Sequence, residues 1–142
     1  MKELYLLLGT NLGDRESNIN RALEALDKAF CGRRLRTTAI IETTACGFQG
    51  PDFLNAVAVY SSARKPETIL RICKRIERSM GRKDAPEYNA AEERVYHNRV
   101  IDIDILLYGD ITLRTQELTS PHPQVRSREF AARLLKEAGA KL

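Results

Sequence analysis

The segment at residues 99–108 most constrains the fold, because isoleucine and aspartate alternate along it. Successive side chains of a β-strand point to opposite faces of the sheet. Asp102 and Asp104 would then share one face, with Cα atoms about 6.5–7 Å apart. The other face would carry apolar side chains suited to a core, those of Ile101, Ile103, Ile105 and Leu107. The pattern therefore predicts a strand with one buried face and a carboxylate pair on the other.

The carboxylate pair has two interpretations. Magnesium prefers oxygen ligands, and its usual set is one or two carboxylates with substrate phosphates and water. The alternative is a half-exposed strand whose solvent face simply carries charge. Aspartate is a poor strand former, and two like charges side by side repel unless a cation lies between them. These two features favour a metal site at Asp102 and Asp104, but the residues alone leave both interpretations open.

The order of predicted elements gives the fold class. Asp14 is suited to cap a first helix ending near Phe30, and Pro66 suits the first turn of a second helix that Gly81 ends. The predicted strands are 4–9, 35–42, 53–60, 99–108 and 111–113, with a third helix at 127–138. This βαββαβ core with additions indicates an α+β, ferredoxin-like fold with a mainly antiparallel sheet and helices on one face. We expect one domain spanning residues 1–142.

Composition narrows the function classes. The chain has a net charge of +4, which suits an anionic partner such as a nucleotide, a nucleic acid or a phosphorylated metabolite. Its three cysteines include no CxxC pair, which argues against a disulfide framework or a structural zinc site. The sequence shows neither a signal peptide nor an apolar stretch of membrane-spanning length. We therefore expect a soluble cytoplasmic protein with no membrane partner.

Basic residues accompany a long polar segment at 83–98, predicted to be irregular. Arg82, Lys83, Arg94 and Arg99 lie in or beside it. Guanidinium groups bind phosphate oxygens through paired hydrogen bonds, and a loop carrying them can close over a triphosphate. The alternative, a solvated basic loop, stays equally open on these residues alone.

Three further signals concern a flat ligand and a phosphate. Phe53 and Asn55 share a face of their predicted strand, where a ring can stack on a heterocycle and an amide can bind its edge. A core phenylalanine beside a structural asparagine is the slightly favoured alternative.

His122 lies between two prolines and could donate to a phosphate, although a lone loop histidine more often has no catalytic role. The glycine-containing segment 9–14 lacks a Walker A ending, so we interpret it as a structural turn with a helix cap.

Together these pieces resemble one family, the 6-hydroxymethyl-7,8-dihydropterin pyrophosphokinases of folate biosynthesis. The segments that carry the resemblance are GTNLGD at 9–14, DFLNAV at 52–57, RIERSMGR at 75–82, RVIDIDILLYG at 99–109, and LTSPHP at 118–123 followed by Arg128 and Phe130. The resemblance implies an αβα sandwich. It also implies transfer of diphosphate from ATP to the hydroxymethyl group of 6-hydroxymethyl-7,8-dihydropterin, with release of AMP.

The resemblance also implies roles for individual residues. Asp102 and Asp104 would bind two Mg²⁺ ions that bridge the ATP phosphates, and Arg82 and Arg99 would be the catalytic, phosphate-binding arginines. The residues implied to bind ATP are Lys74, Glu77, Arg82, Arg99, Ile105, Thr119, His122 and Arg128. The residues implied to bind the pterin are Thr43, Cys46, Phe53, Asn55 and Phe130.

Two other functions remain as alternatives. A ferredoxin-like nucleic-acid-binding module would suit the charge, but the aromatic motif of RNA-recognition domains is absent from the sequence. An inactive relative that only binds a nucleotide or pterin is opposed by the presence of Asp102, Asp104, Arg82 and Arg99. We therefore expect small-molecule substrates, no nucleic-acid partner, and a monomer rather than an oligomer.

Overall fold

The computed structural model describes residues 1–43, 52–81, 87–88, 94–95, 100–109, 113–114, 119–120 and 129–139. In chain order the elements are β1 (Lys2–Thr10), α1 (Arg15–Ala29), β2 (Arg34–Thr37), β3 (Ile41–Thr43), β4 (Phe53–Ser62), α2 (Pro66–Ser79), β5 (Glu87–Tyr88), β6 (Arg94–Val95), β7 (Asp102–Tyr108), β8 (Leu113–Arg114), β9 (Thr119–Ser120) and α3 (Glu129–Glu137).

A five-stranded sheet forms the centre of the molecule. Its strand order is β2–β4–β1–β7, and β3 also pairs with β4. Each of these pairings is antiparallel. Helix α1 lies between β1 and β2 in the chain, and α2 lies between β4 and β7. In each case the two strands are not adjacent in the sheet. The predicted α+β class and the mainly antiparallel ferredoxin-like sheet are confirmed.

Two sequence predictions about strands were wrong. The strand predicted at 35–42 is divided, because β2 pairs with the second half of β4 and β3 pairs with its first residues. The segment 83–98, predicted to be irregular, contains the short antiparallel pair β5–β6. Strands of two residues are too short to leave an alternating pattern in a sequence.

The helices form where the sequence predicted them. The Asp14 side chain caps α1 by accepting from the Ser17 N–H at 3.1 Å. Pro66 occupies the first turn of α2, where its missing N–H costs no hydrogen bond. Helix α2 and its C-cap bury one stripe of side chains, which consists of Ile69, Ile72, Cys73, Ile76 and Met80.

Apolar clusters cover both faces of the sheet. Helices α1 and α2 pack on the face that carries Leu4, Leu6 and Leu8 of β1. Helix α3 packs through Leu134 and Leu135 on the opposite face. The expectation from element order that helices lie on one face therefore holds for α1 and α2 only. The αβα sandwich implied by the resemblance is the architecture observed.

A β-bulge changes the end of β7. The register of β1 with β7 shifts between Tyr5 and Leu6, which leaves Leu106 without a partner of its own on β1. Leu107 consequently packs with the α3 cluster rather than with the isoleucines, so its predicted face was wrong. An extra residue in one strand reverses the alternation beyond it. Within the described ranges, no helix is long and apolar enough to cross a membrane.

Candidate functional site

The sheet face under α3 changes from apolar to polar along β1. Tyr5 and Leu7 belong to the cluster covered by α3. Gly9 continues the same face, and it pairs with Asp102 of β7 on one side and with Asn55 of β4 on the other. Directly opposed residues of neighbouring strands share a face, and strands lie about 4.8 Å apart. The Cα atoms of Asp102 and Asn55 are therefore about 9–10 Å apart, and the residue between them has no side chain.

The two aspartates lie on this face as the alternation predicted. Asp102 is opposite Gly9 and Asp104 is opposite Leu7, and both are half-buried. Ile103 and Ile105 point to the other face and lie in the core with α1 and α2. The strand therefore presents two carboxylates to one side of the sheet while its isoleucines anchor it from the other.

The donor chemistry of the pair suits magnesium. Two carboxylates supply hard oxygen ligands and leave room for phosphate oxygens and water, which is the coordination that Mg²⁺ usually keeps. Among the residues with described positions, no group of three or more histidine, cysteine, aspartate or glutamate side chains is arranged to hold a metal ion. Asp102 and Asp104 are therefore less suited to a metal that needs sulfur ligands or a full set of protein ligands than to one that also binds oxygen atoms of a substrate.

Asn55 is held in a fixed orientation beside Gly9. Its side chain is only 4% exposed, and its Nδ2 donates to the Thr43 hydroxyl oxygen at 2.7 Å. A Cβ atom built on Gly9 would lie 3.2 Å from the Asn55 Oδ1 and 3.6 Å from a ring carbon of Phe53. The amide oxygen and the half-buried Phe53 ring thus both lie close to Gly9, as a site for a flat heterocycle requires.

Glu77 supports β7 from the face of the sheet that packs against α2. This residue of α2 is 4% exposed, and its Oε2 accepts from the backbone N–H of Ile103 at 2.8 Å. Ile103 lies between Asp102 and Asp104, so the carboxylate fixes the backbone at the point where the pair is presented. This contact was not anticipated from the sequence. The implied contact of Glu77 with ATP stays a prediction.

The surroundings of Cys73 favour its protonated thiol. Burial raises the pKa of the Cys73 thiol, and the negative charges of Glu77 and Asp104 raise that pKa further. Cys73 is 1% exposed, on the α2 face that packs against the sheet. The thiol therefore serves as a neutral core group beside the carboxylates.

The remaining candidates are placed only in part. Lys74 lies exposed on α2, and the Ile105 side chain is buried, so any contact of Ile105 with ATP would use its backbone. Thr119 belongs to β9 and Phe130 belongs to α3. The candidates that lie outside the described residues are Cys46, Arg82, Arg99, His122 and Arg128.

Comparison with known proteins identifies relatives along nearly the whole chain. A family model described as 7,8-dihydro-6-hydroxymethylpterin-pyrophosphokinase matches residues 5–139. A 2-amino-4-hydroxy-6-hydroxymethyldihydropteridine pyrophosphokinase of Porphyromonas gingivalis is 44% identical over 132 residues, which cover 92% of this chain and 86% of the relative. The protein of the same name from Aquifex aeolicus is 37% identical over 92% of this chain and 76% of its own length.

A plant protein shows the same similarity inside a longer chain. The mitochondrial folate synthesis bifunctional protein of Pisum sativum is 34% identical over 91% of this chain, which spans 24% of that protein. These relatives favour an enzyme over the nucleic-acid-binding module that the fold and charge had left open.

Proposed function

The chain belongs to the 7,8-dihydro-6-hydroxymethylpterin-pyrophosphokinase family, and we propose that Asp102, Gly9 and Asn55 mark where its two substrates meet. The activity is the pyrophosphokinase step of folate biosynthesis, which transfers pyrophosphate from ATP to hydroxymethyldihydropterin. The row of these residues across β7, β1 and β4 is the observation that carries the assignment of sites. It puts a carboxylate at one end and a fixed amide at the other, on one face of one sheet.

Asp102 and Asp104 are proposed to hold two Mg²⁺ ions with the phosphates of ATP. Support comes from their shared face, their half-buried position and the oxygen donors they supply. When bound, magnesium neutralises phosphate charge and orients the attacking and leaving oxygens. The isoleucines buried beneath the pair and the Glu77 contact to Ile103 keep the two carboxylates in place.

Asn55 is proposed to bind the edge of the pterin. Because its Nδ2 is engaged by Thr43, its Oδ1 is the atom directed over Gly9 and is suited to accept from a ring N–H. Phe53 beside it would stack on the ring. By family resemblance, Cys46 and Phe130 complete the pterin site.

The transfer itself requires positioning and charge neutralisation. The hydroxymethyl oxygen gives up its proton to solvent and forms a bond to the β-phosphorus of ATP, the bond from that phosphorus to the α,β-bridging oxygen breaks, and AMP leaves. Arg82 and Arg99 are proposed to bind the phosphates and stabilise their charge during transfer. The further residues that we propose to bind ATP, on family resemblance, are Lys74, Glu77, Ile105, Thr119, His122 and Arg128. We also propose that the protein acts as a single-domain monomer in the cytoplasm.

Product analysis tests this proposal. The protein is incubated with ATP, Mg²⁺ and 6-hydroxymethyl-7,8-dihydropterin, and nucleotides and pterins are separated by chromatography. We expect AMP and pterin diphosphate in equal amounts, with neither formed when the pterin is left out or the metal is chelated. Formation of ADP would mean transfer of a single phosphoryl group and would contradict the reaction. AMP formation unaffected by chelation would contradict the metal assignment.

A further inference from the structure

Arg15 connects the two strand ends that lead into and out of residues 44–51. This arginine is the first residue of α1, and its NH1 atom donates to the backbone carbonyl of Asp52 at 2.8 Å. The same atom lies 3.2 Å from the Glu42 Oε2 in an ion pair. Glu42 immediately precedes Thr43, and Asp52 immediately precedes Phe53. One guanidinium group therefore contacts the residue before each of two proposed pterin-binding residues.

The register of β3 with β4 shows that Arg15 works from behind the site. Glu42 is directly opposite Leu54, which packs in the core with α1 and α2. Thr43 is opposite Phe53, so this pair lies on the other face of the sheet. Arg15 comes from α1, on the Leu54 side. Its contacts therefore brace the β3 and β4 ends from the face opposite the proposed substrates.

Thr43 is the connection between this brace and the substrate face. Its hydroxyl oxygen accepts the hydrogen bond from Asn55 that fixes the amide over Gly9. Thr43 belongs to β3, a strand of three residues that pairs with β4 in the described sheet. A strand this short has few ladder hydrogen bonds to hold its end in register. Displacement of Glu42 by a fraction of an ångström would move Thr43 with it and loosen Asn55.

We propose that Arg15 is a positioning residue for pterin binding, which aligns Thr43 and Phe53 by bracing Glu42 and Asp52 from the opposite face. This inference rests on the proposed function, because it assigns a role toward the same pterin site. Arg15 lies on the face of the sheet opposite the proposed substrates, so its proposed role is indirect. Its loss is therefore expected to weaken pterin binding selectively and to leave the ATP end, which lies across Gly9 on β7, nearly unaffected.

The expected effect is moderate. The Arg15 and Glu42 side chains are 31% and 53% exposed, and exposed ion pairs alone contribute little. The hydrogen bond from a charged donor to the Asp52 carbonyl is stronger. Because Arg15 would act on the pterin only through Thr43 and Phe53, only part of this free energy reaches binding, and Arg15→Ala is expected to raise KM for the pterin about 5–10-fold.

Steady-state kinetics with each substrate varied in turn test the inference, together with thermal unfolding. We expect Arg15→Ala to raise KM for the pterin while KM for ATP stays within about twofold, a change below 0.5 kcal/mol. Glu42→Gln keeps the Asp52 contact and should show a smaller rise in the same KM. Arg15→Lys keeps the charge and should restore part of the loss. Arg21→Ala, an exposed arginine of the same helix, is the matched control and should leave both constants unchanged.

The outcomes separate this inference from the proposed function. An active wild type in which Arg15→Ala leaves KM for the pterin unchanged, or raises both constants equally with a loss of thermal stability, would overturn the inference alone. A wild type that forms no pterin-dependent AMP would overturn the proposed function and this inference with it. If Arg15→Ala does not fold, Arg15→Lys and Glu42→Gln provide the same comparison, and an unchanged KM for the pterin in both would overturn it.

Discussion

Asp102 and Asn55 face each other across Gly9, in one row of the sheet and on the same face. The glycine separates a carboxylate proposed to bind metal and phosphate from an amide proposed to bind a heterocycle. Because no side chain rises between them, a substrate can extend from one to the other. The register of three strands therefore brings the two proposed binding groups onto one face of the sheet.

Replacement of Gly9 by alanine tests the importance of this gap. The added methyl would lie 3.2 Å from the Asn55 Oδ1, a distance at which the amide must move. Thr43 holds the other end of that amide at 2.7 Å and resists the movement. We expect kcat/KM for the pterin to fall about tenfold, as overpacking by one methyl costs about 1–3 kcal/mol.

A double-variant comparison controls for other effects of Gly9→Ala. If the methyl acts through Asn55, Gly9→Ala combined with Asn55→Ala should lose little more than Asn55→Ala alone. Fully additive losses would show that the methyl does not act through Asn55. An unchanged kcat/KM in Gly9→Ala would show that the space above Gly9 is not used by the pterin.

Glu77 is predicted to stabilise the fold through its contact with the backbone of β7, the strand that carries Asp102 and Asp104. Glu77→Ala would leave the buried Ile103 N–H without this acceptor, which costs about 1–3 kcal/mol of the free energy of unfolding. Glu77→Gln keeps an acceptor oxygen and should lose less. Urea denaturation measures both, with the exposed Arg71→Ala on the same helix as a control that should change little. Wild-type stability in Glu77→Ala would show that the contact contributes nothing.

Cys73 and Cys31 are predicted to differ in reactivity. Cys31 is exposed, whereas Cys73 is buried and its pKa is raised by burial and by the charges of Glu77 and Asp104. Alkylation of the folded protein, followed by peptide mapping, should modify Cys31 quickly and Cys73 only after denaturant is added. Equal modification of both cysteines in the folded state would contradict the buried position of the Cys73 side chain.

The raised pKa also sets a direction for stability at alkaline pH. Above the ordinary value of 9.0 the unfolded thiol loses its proton, while the folded Cys73 keeps it. The folded state then binds more protons, so stability present below pH 9.0 is lost as the pH rises. Cys73→Ala should therefore show a smaller alkaline decrease in the free energy of unfolding than wild type.

Much of this arrangement was predictable from local pattern. Alternation in β7 placed Asp102 and Asp104 on one face because the period of a strand is independent of its surroundings. Leu107 was misplaced because a bulge at Leu106 depends on pairing with β1, which the sequence of β7 does not contain. The division of β2 from β3 likewise depends on where each pairs with β4.

Two supporting residues show which signals were present and which were not. Glu77 lies four residues after Cys73 and three before Met80, on the stripe that buries α2, so its burial could have been predicted. Its role as the acceptor for the Ile103 N–H could not have been predicted, because the two residues are 26 positions apart in the sequence. Arg15 gave no local signal at all, since an arginine in the first turn of a helix is ordinarily solvated.

The most direct test of the account is the turnover of Asp102→Asn and Asp104→Asn at saturating ATP, pterin and Mg²⁺. Each change preserves the size of the side chain and removes the charge proposed to bind magnesium. Asp14→Asn is the matched control, because asparagine caps a helix as well as aspartate does. We predict that kcat falls by about 10³-fold in each site variant, with a folded protein, and stays near wild type in the control. Near-normal turnover in Asp102→Asn and Asp104→Asn would contradict the assignment of the metal site.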